Sequence, residues 1–209
     1  MNSRSAQAAT TRLIWNFREN IAQLMGQESS TNNNNLNLRD SGSRNITSST
    51  ESAKTDDTIS TGGRWAKPSA TVYINTGNAT LDAATKSALE QWNQTGAFTF
   101  RQVANSDGAN IVVHSMNNAN TNAAGLTKTS TNSLTNHFTH ATVYLNQKYL
   151  LDPNYGYDEQ RIINTAEHEL GHAIGLDHVD SPSVMQPAGS FYTIQPADVQ
   201  SVKTLYDEQ

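Results

Sequence analysis

His168-Glu169-Leu170-Gly171-His172-Ala173-Ile174-Gly175-Leu176-Asp177-His178 gathers three of the chain's six histidines into one short segment. On a helix, His168 and His172 stand four residues apart, so their imidazoles share one face a turn apart and can grip a single ion. Ile162, Ala166, Leu170 and Ile174 make an apolar stripe on roughly the opposite side of the helix from them, which gives the helix a dry side and a metal side. Gly171 lies inside this helix at a cost of about 1 kcal/mol relative to alanine, a sign of close packing. Gly175 is placed to end the helix with a positive backbone angle, and the sharp turn brings His178 back to the same ion.

Neutral imidazole suits zinc, at about 2.0 to 2.1 Å from metal to nitrogen. Three protein ligands leave the fourth tetrahedral position to water, as in a catalytic rather than a closed structural site, and zinc lowers the pKa of that water towards about 7. Glu169, offset by about 100° from His168, can reach this water as general base and later hand the proton to a leaving amine. Single helical histidines are ordinarily surface or core residues. Five fixed positions, however, recur by chance in a chain of this length with odds on the order of 10⁻⁵. The reading is one catalytic zinc ion; the alternative is a zinc-binding module without turnover, which has no chemical need for Glu169.

Outward from this segment, residues 63–209 carry the pattern of a packed α+β domain. Residues 70–75 (ATVYIN), 98–103 (FTFRQV), 111–115 (IVVHS) and 141–146 (ATVYLN) read as short strands rich in β-branched and aromatic side chains. Residues 80–93 form a helix with Leu81, Ala84, Leu89 and Trp92 on its buried side, and the order strand, helix, strand, strand suggests a mixed twisted sheet. Residues 117–136 are small, polar and loop-like, with 123–127 able to form a short edge strand. The metal helix should start near Tyr157 or Asp158 and run to about Leu176. A last helix over 196–206 begins with a proline in its first turn.

The chain ahead of residue 63 is different material. Residues 27–62 hold almost no large apolar side chains and cannot offset the entropy of ordering, so they read as a disordered Asn/Ser/Thr-rich linker. Residues 1–26 form a tail in which Leu13, Phe17, Ile21 and Leu24 recur at helical spacing before Gly26. A tail helix, the remnant of a leader, a pro-segment covering an active site and a partner-binding helix are all consistent with it. The tail and linker together hold six basic and six acidic residues, so the whole net charge of −5 belongs to the domain. That balance excludes the electrostatic footprint of a nucleic-acid or anionic-membrane binder. Zero cysteine excludes disulfides, thiolate metal sites and a cysteine nucleophile. No apolar run approaches the length of a spanning helix or of a signal-peptide core.

The complete pattern HExxHxxGxxH is that of the metzincin metalloproteases, which this sequence resembles. Ser183-Val184-Met185-Gln186-Pro187 is similar to the clan's methionine turn, which implies Met185 as a hydrophobic floor beneath the metal and no ligand. Within the clan the likeness is to the matrixins (peptidase M10). It runs over residues 63 to 209: GRWAKPSATVYI, Gln91-Trp92, FTFRQV, NIVVHS, the metal helix, and a closing Pro-Ala-Asp-Val…Leu-Tyr helix. The resemblance implies a twisted mixed sheet, two long helices and a C-terminal helix. It also implies a zinc endopeptidase that hydrolyses internal bonds of protein substrates in a cleft, working as a monomer and secreted or held at the cell surface. An extended peptide would lie along a sheet edge around Ala124, Gly125, Leu126 and Thr127, with Pro187 and Tyr192 near the far wall of its pocket.

The departures are specific. Pro187 occupies the position where astacin-like and serralysin-like members carry a tyrosine, so no tyrosine ligand is expected. The cysteine that blocks zinc in the matrixin pro-region is missing, so any latency needs another ligand, such as Asp40, Asp56 or Asp57, or does not exist. His114, His137 and His140 do not reproduce the spacing of the second, structural zinc of animal matrixins. Asp107, Asp152 and Asp158 form no calcium-ligand string, so Ca²⁺ is unsupported.

Overall fold

In the computed structural model, residues 63–187 and 190–207 are described; the expected helix over 11–25 and linker over 27–62 lie outside them. The alternation of β-branched residues that marks the strands on paper builds a five-stranded sheet. Its strands are β1 (Ser69–Asn75), β2 (Thr99–Gln102), β3 (Ile111–Met116), β4 (Gly125–Thr131) and β5 (Phe138–Asn146), in the order β2-β1-β3-β5-β4. The first four strands in that order run parallel, and β4 lies antiparallel to β5 at the edge. Register puts apolar side chains in rows across one face: Val72 beside Ile111 beside Ala141, and Val113 beside Val143, all essentially buried.

That face is covered by helices. Helix α1 (Ala79–Gln94) starts where Asn78 Oδ1 accepts from Thr80 N at 3.0 Å and Leu81 N at 3.1 Å, an N-cap that satisfies two otherwise free donors. It buries Leu81, Ala88, Leu89 and Trp92. A four-residue helix α2 (Gln147–Leu150) and a 3-10 turn (Pro153–Tyr155), neither foreseen, carry the chain from β5 to α3 (Glu159–Ala173). Asp158 caps α3 by accepting from Arg161 N at 2.8 Å. Ile162, Ala166, Leu170 and Ile174 are buried, as the stripe requires. Burial goes further around the helix than the stripe alone, taking in Asn164, Thr165, Glu167 and Glu169, because α1 packs on one flank and β4 and β5 on another.

Helix α4 (Pro196–Asp207) closes the fold and ties its two ends together. The buried Tyr206 hydroxyl donates to Ile174 O at 2.9 Å and accepts from Trp65 N at 3.2 Å, while Trp65 Nε1 donates to Ala173 O at 2.9 Å. Tyr206→Phe leaves two buried backbone groups short of a partner and is expected to destabilise the domain by about 1 to 3 kcal/mol, read as a lower urea midpoint at unchanged slope. A midpoint equal to wild type would show that this tie contributes nothing. Among the described residues, no helix is long and apolar enough to cross a membrane.

Candidate metal centre

The metal helix ends earlier than its sequence suggests, at Ala173 rather than near Leu176, and the way it ends builds the site. Gly175 has φ +103°, Gly175 N donates to His172 O at 3.0 Å, and Leu176 N donates to Gly171 O at 3.0 Å. This pair of backward bonds is a Schellman closure, which needs a residue that tolerates positive φ. A side chain at Gly175 would also stand 2.6 Å from Gly63 O, so the position excludes one on two grounds. The reversal points the Leu176 carbonyl back at the helix and sends His178 to the metal face.

There the three imidazoles converge. Their Nε2 atoms form a nearly equilateral triangle with edges of 3.1, 3.1 and 3.2 Å. Tetrahedral zinc with bonds of about 2.0 to 2.1 Å needs ligand nitrogens about 3.3 to 3.4 Å apart, so the triangle matches a metal site to within a few tenths of an ångström. Tautomers point the same way. His168 Nδ1 donates to Val184 O at 2.7 Å and His172 Nδ1 to Leu176 O at 2.8 Å. Because carbonyls only accept, the Nε2 atoms of both rings carry bare lone pairs aimed at one point. Facing lone pairs repel, and a cation between them is the chemistry the donor set suits. Among the described residues this is the group of three or more potential ligands able to hold a metal ion. His178 is exposed and the other two are half-buried, so the triangle opens to solvent on the His178 side. Burial first, then repulsion from its histidine neighbours, pulls His168 down to about 3 and His172 to about 4; burial also lowers His178. All three are therefore neutral near pH 7, as ligation requires.

The methionine turn meets the triangle through Val184, whose carbonyl accepts from His168. Met185 is 1% exposed, and a side chain on Gly171 would collide with its Sδ and come within 3.2 Å of its Cε, which accounts for the glycine inside the helix. Gly171→Ala is expected to lower stability by about 1 to 3 kcal/mol despite alanine's better helix propensity, because overpacking outweighs it. A raised denaturation midpoint would contradict that. The turn is held from α4: Asp198 accepts from Val184 N at 3.0 Å and from the Ser183 hydroxyl, while Ser183 Oγ accepts from Met185 N at 2.8 Å. Asp198 thus fixes the residue whose carbonyl orients His168.

Glu169 is buried between α3 and the edge strand. Thr127 Oγ1 lies 2.7 Å from its Oε2, and burial, partly opposed by this bond, raises its carboxyl to about 7. Of the expected edge strand over 123–127, Gly125, Leu126 and Thr127 lie in β4, while Ala123 and Ala124 precede it and the strand runs on to Thr131. Pro187 and Tyr192 lie on exposed surface, and residues 188 and 189 between them lie outside the described set. His114, His137 and His140 are not gathered: His114 Nδ1 faces Asn75 O at 3.3 Å, and His140 Nε2 faces Thr142 Oγ1 at 3.3 Å. Asp152 and Asp158 serve as caps.

Sequence reasoning placed Thr127 on the candidate substrate edge but missed its bond to Glu169, and it missed Asp198 and a polar row on α3. Asn164 Nδ2 donates to Ser190 O at 2.9 Å, Thr165 Oγ1 lies 2.8 Å from Ser190 Oγ, and Thr193 Oγ1 donates to Glu167 Oε2 at 2.8 Å. Burial raises Glu167 to about 7. Together these bonds pin the segment that follows the methionine turn against the metal helix. Arg161, one further turn back, stacks between Tyr157 and Phe191, its guanidinium carbon 4.1 and 4.6 Å from the two ring centres.

Two solved structures of myroilysin share this architecture. Each is 15% identical to the chain with a TM-score of 0.50; one match covers 68% of this chain and 85% of that one, the other 70% and 83%. No curated protein matches the sequence. The matrixin (peptidase M10) family profile, by contrast, spans residues 65–207, from the tryptophan tied to the metal helix through the sheet and the three-histidine segment to the end of α4. The chain belongs to the matrixin family.

Proposed function

We propose that this chain is a zinc-dependent endopeptidase that hydrolyses internal peptide bonds of protein substrates, with Glu169 as general base and then general acid. The observation that carries the reading is the convergence of three Nε2 atoms, two of them in tautomers set by the carbonyls of Val184 and Leu176. His168, His172 and His178 would hold the ion. When bound, zinc supplies Lewis acidity, making water more acidic and polarising a carbonyl.

The rest of the chemistry falls to the protein. Glu169 takes the proton from the attacking water and delivers it to the nitrogen of the departing amine, so that one carboxyl serves both halves of the reaction. Strand β4 lies at the sheet edge, its other side being paired to β5. It can take an extended substrate as one more strand, holding it through main-chain bonds close to Glu169. Family membership supports a metallopeptidase of peptide or protein substrates. Metal analysis of the purified protein, with cleavage of casein or a quenched fluorogenic peptide before and after chelation, tests the reading. Cleavage should stop with the chelator and return with zinc. Undiminished cleavage by metal-free protein would overturn it, and zinc binding without any cleavage would leave the silent module.

A further inference from the structure

The inner face of β4 differs from the rows beside it in a way that bears on Glu169. Thr127 pairs with Val143, which pairs with Val113, so the row it extends is otherwise apolar. A valine would continue that row and suit the strand equally well. A buried hydroxyl there is unfavourable unless it is bonded. Both bonds that Thr127 Oγ1 makes run to a single residue: Glu169 Oε2 at 2.7 Å and the Glu169 main-chain oxygen at 2.9 Å. Two residues earlier on the same face, Gly125 leaves the space that the carboxylate fills, since a side chain there would stand 2.6 Å from Glu169 Cδ and closer still to Oε1.

We infer that Thr127 is a positioning residue for Glu169, its hydroxyl holding Oε2 against β4 so that Oε1, on the Gly125 side, is the oxygen that handles the proton. The inference rests on the proposed hydrolytic reading and deepens it. A hydroxyl has one proton to give, and a carboxylate oxygen is the nearer and stronger of its two acceptors. The glutamate side chain has several rotatable bonds, and grasping one oxygen while a strand backbone lies against the other removes most of that freedom. The edge strand thereby has two duties: its outer edge, with which no other strand pairs among the described residues, can receive a peptide, and its inner face sets the angle of the group that works on that peptide.

The test compares full-length, zinc-loaded Thr127→Val and Thr127→Ser with wild type. Valine preserves shape and removes the bond; serine restores the bond without the methyl group. Thr127→Val should lower kcat by about tenfold to a hundredfold, as for other residues that orient a catalytic group, with KM within about twofold and zinc content unchanged. Thr127→Ser should recover most of kcat. In a crystal structure of Thr127→Val, the Glu169 carboxylate should leave β4. Wild-type kcat in the valine variant, a serine variant as slow as valine, or a carboxylate unmoved in the Thr127→Val crystal would each overturn the inference. The crystallographic arm separates the two readings: if wild type cleaves nothing while the carboxylate still departs in Thr127→Val, the hydrolytic reading fails and the positioning stands.

Discussion

Glu169→Gln is expected to keep one zinc per chain and the wild-type fold while losing a factor of about 10² to 10⁴ in kcat/KM, equivalent to about 2.7 to 5.4 kcal/mol of transition-state stabilisation. Glutamine has the same shape and can still accept the Thr127 hydroxyl through its amide oxygen, so the slot between Gly125 and Thr127 stays filled. What it lacks is the ability to accept a proton and return it. The three nitrogen donors lie on other residues, so metal content should not change. Glu169→Ala should be at least as inactive, but it opens a cavity beside Thr127, which mixes a stability loss into the rate. Peptide cleavage by purified Glu169→Gln at the wild-type rate, with zinc present, would remove the general base from the mechanism.

The parts of this arrangement that were legible in the sequence are those carried by side-chain period. Ile162, Ala166, Leu170 and Ile174 announced the dry face of α3, His168 and His172 the metal face, and Gly175 the reversal, because each is a local relation among residues a few positions apart. The strands were legible where Val, Ile and Tyr alternate. The edge strand was not legible beyond Thr127, because its inward positions, Thr127 and Thr129, are themselves polar and read the same as the outward Lys128 and Ser130. The start of β5 was likewise missed: Phe138 opens it, its ring packed edge-on at 5.7 Å against Trp65, but Thr139 and His140 interrupt the apolar pattern. Groups that set the imidazole tautomers were invisible for a different reason. They are carbonyls, which every residue has, and only the turns at Gly175 and Met185 bring them into place. Thr127 and Glu169 are 42 positions apart, and no local pattern links them.

Removing one corner of the triangle should have the largest effect of all. His172→Ala is expected to bind less than a tenth of the zinc that wild type retains after dialysis and to show no measurable cleavage, since two imidazoles alone close neither the donor set nor the geometry. The thermal readout is independent of any substrate. A ligand present at a hundred times its Kd stabilises the folded state by about 2.7 kcal/mol, which for a domain of this size raises Tm by roughly 5 to 11 °C. Zinc should produce a rise of that order in wild type and in Glu169→Gln, and none in His172→Ala. His178→Ala provides the sharper comparison, because His178 is the exposed corner of the triangle. If exposed histidines were merely scavenging metal, losing either residue would trim the shift by similar small amounts and leave binding micromolar or weaker. If the triangle is a single site, both substitutions should abolish the shift together. Stoichiometric zinc with an undiminished Tm rise in His172→Ala would mean that the convergence of the three rings has nothing to do with metal.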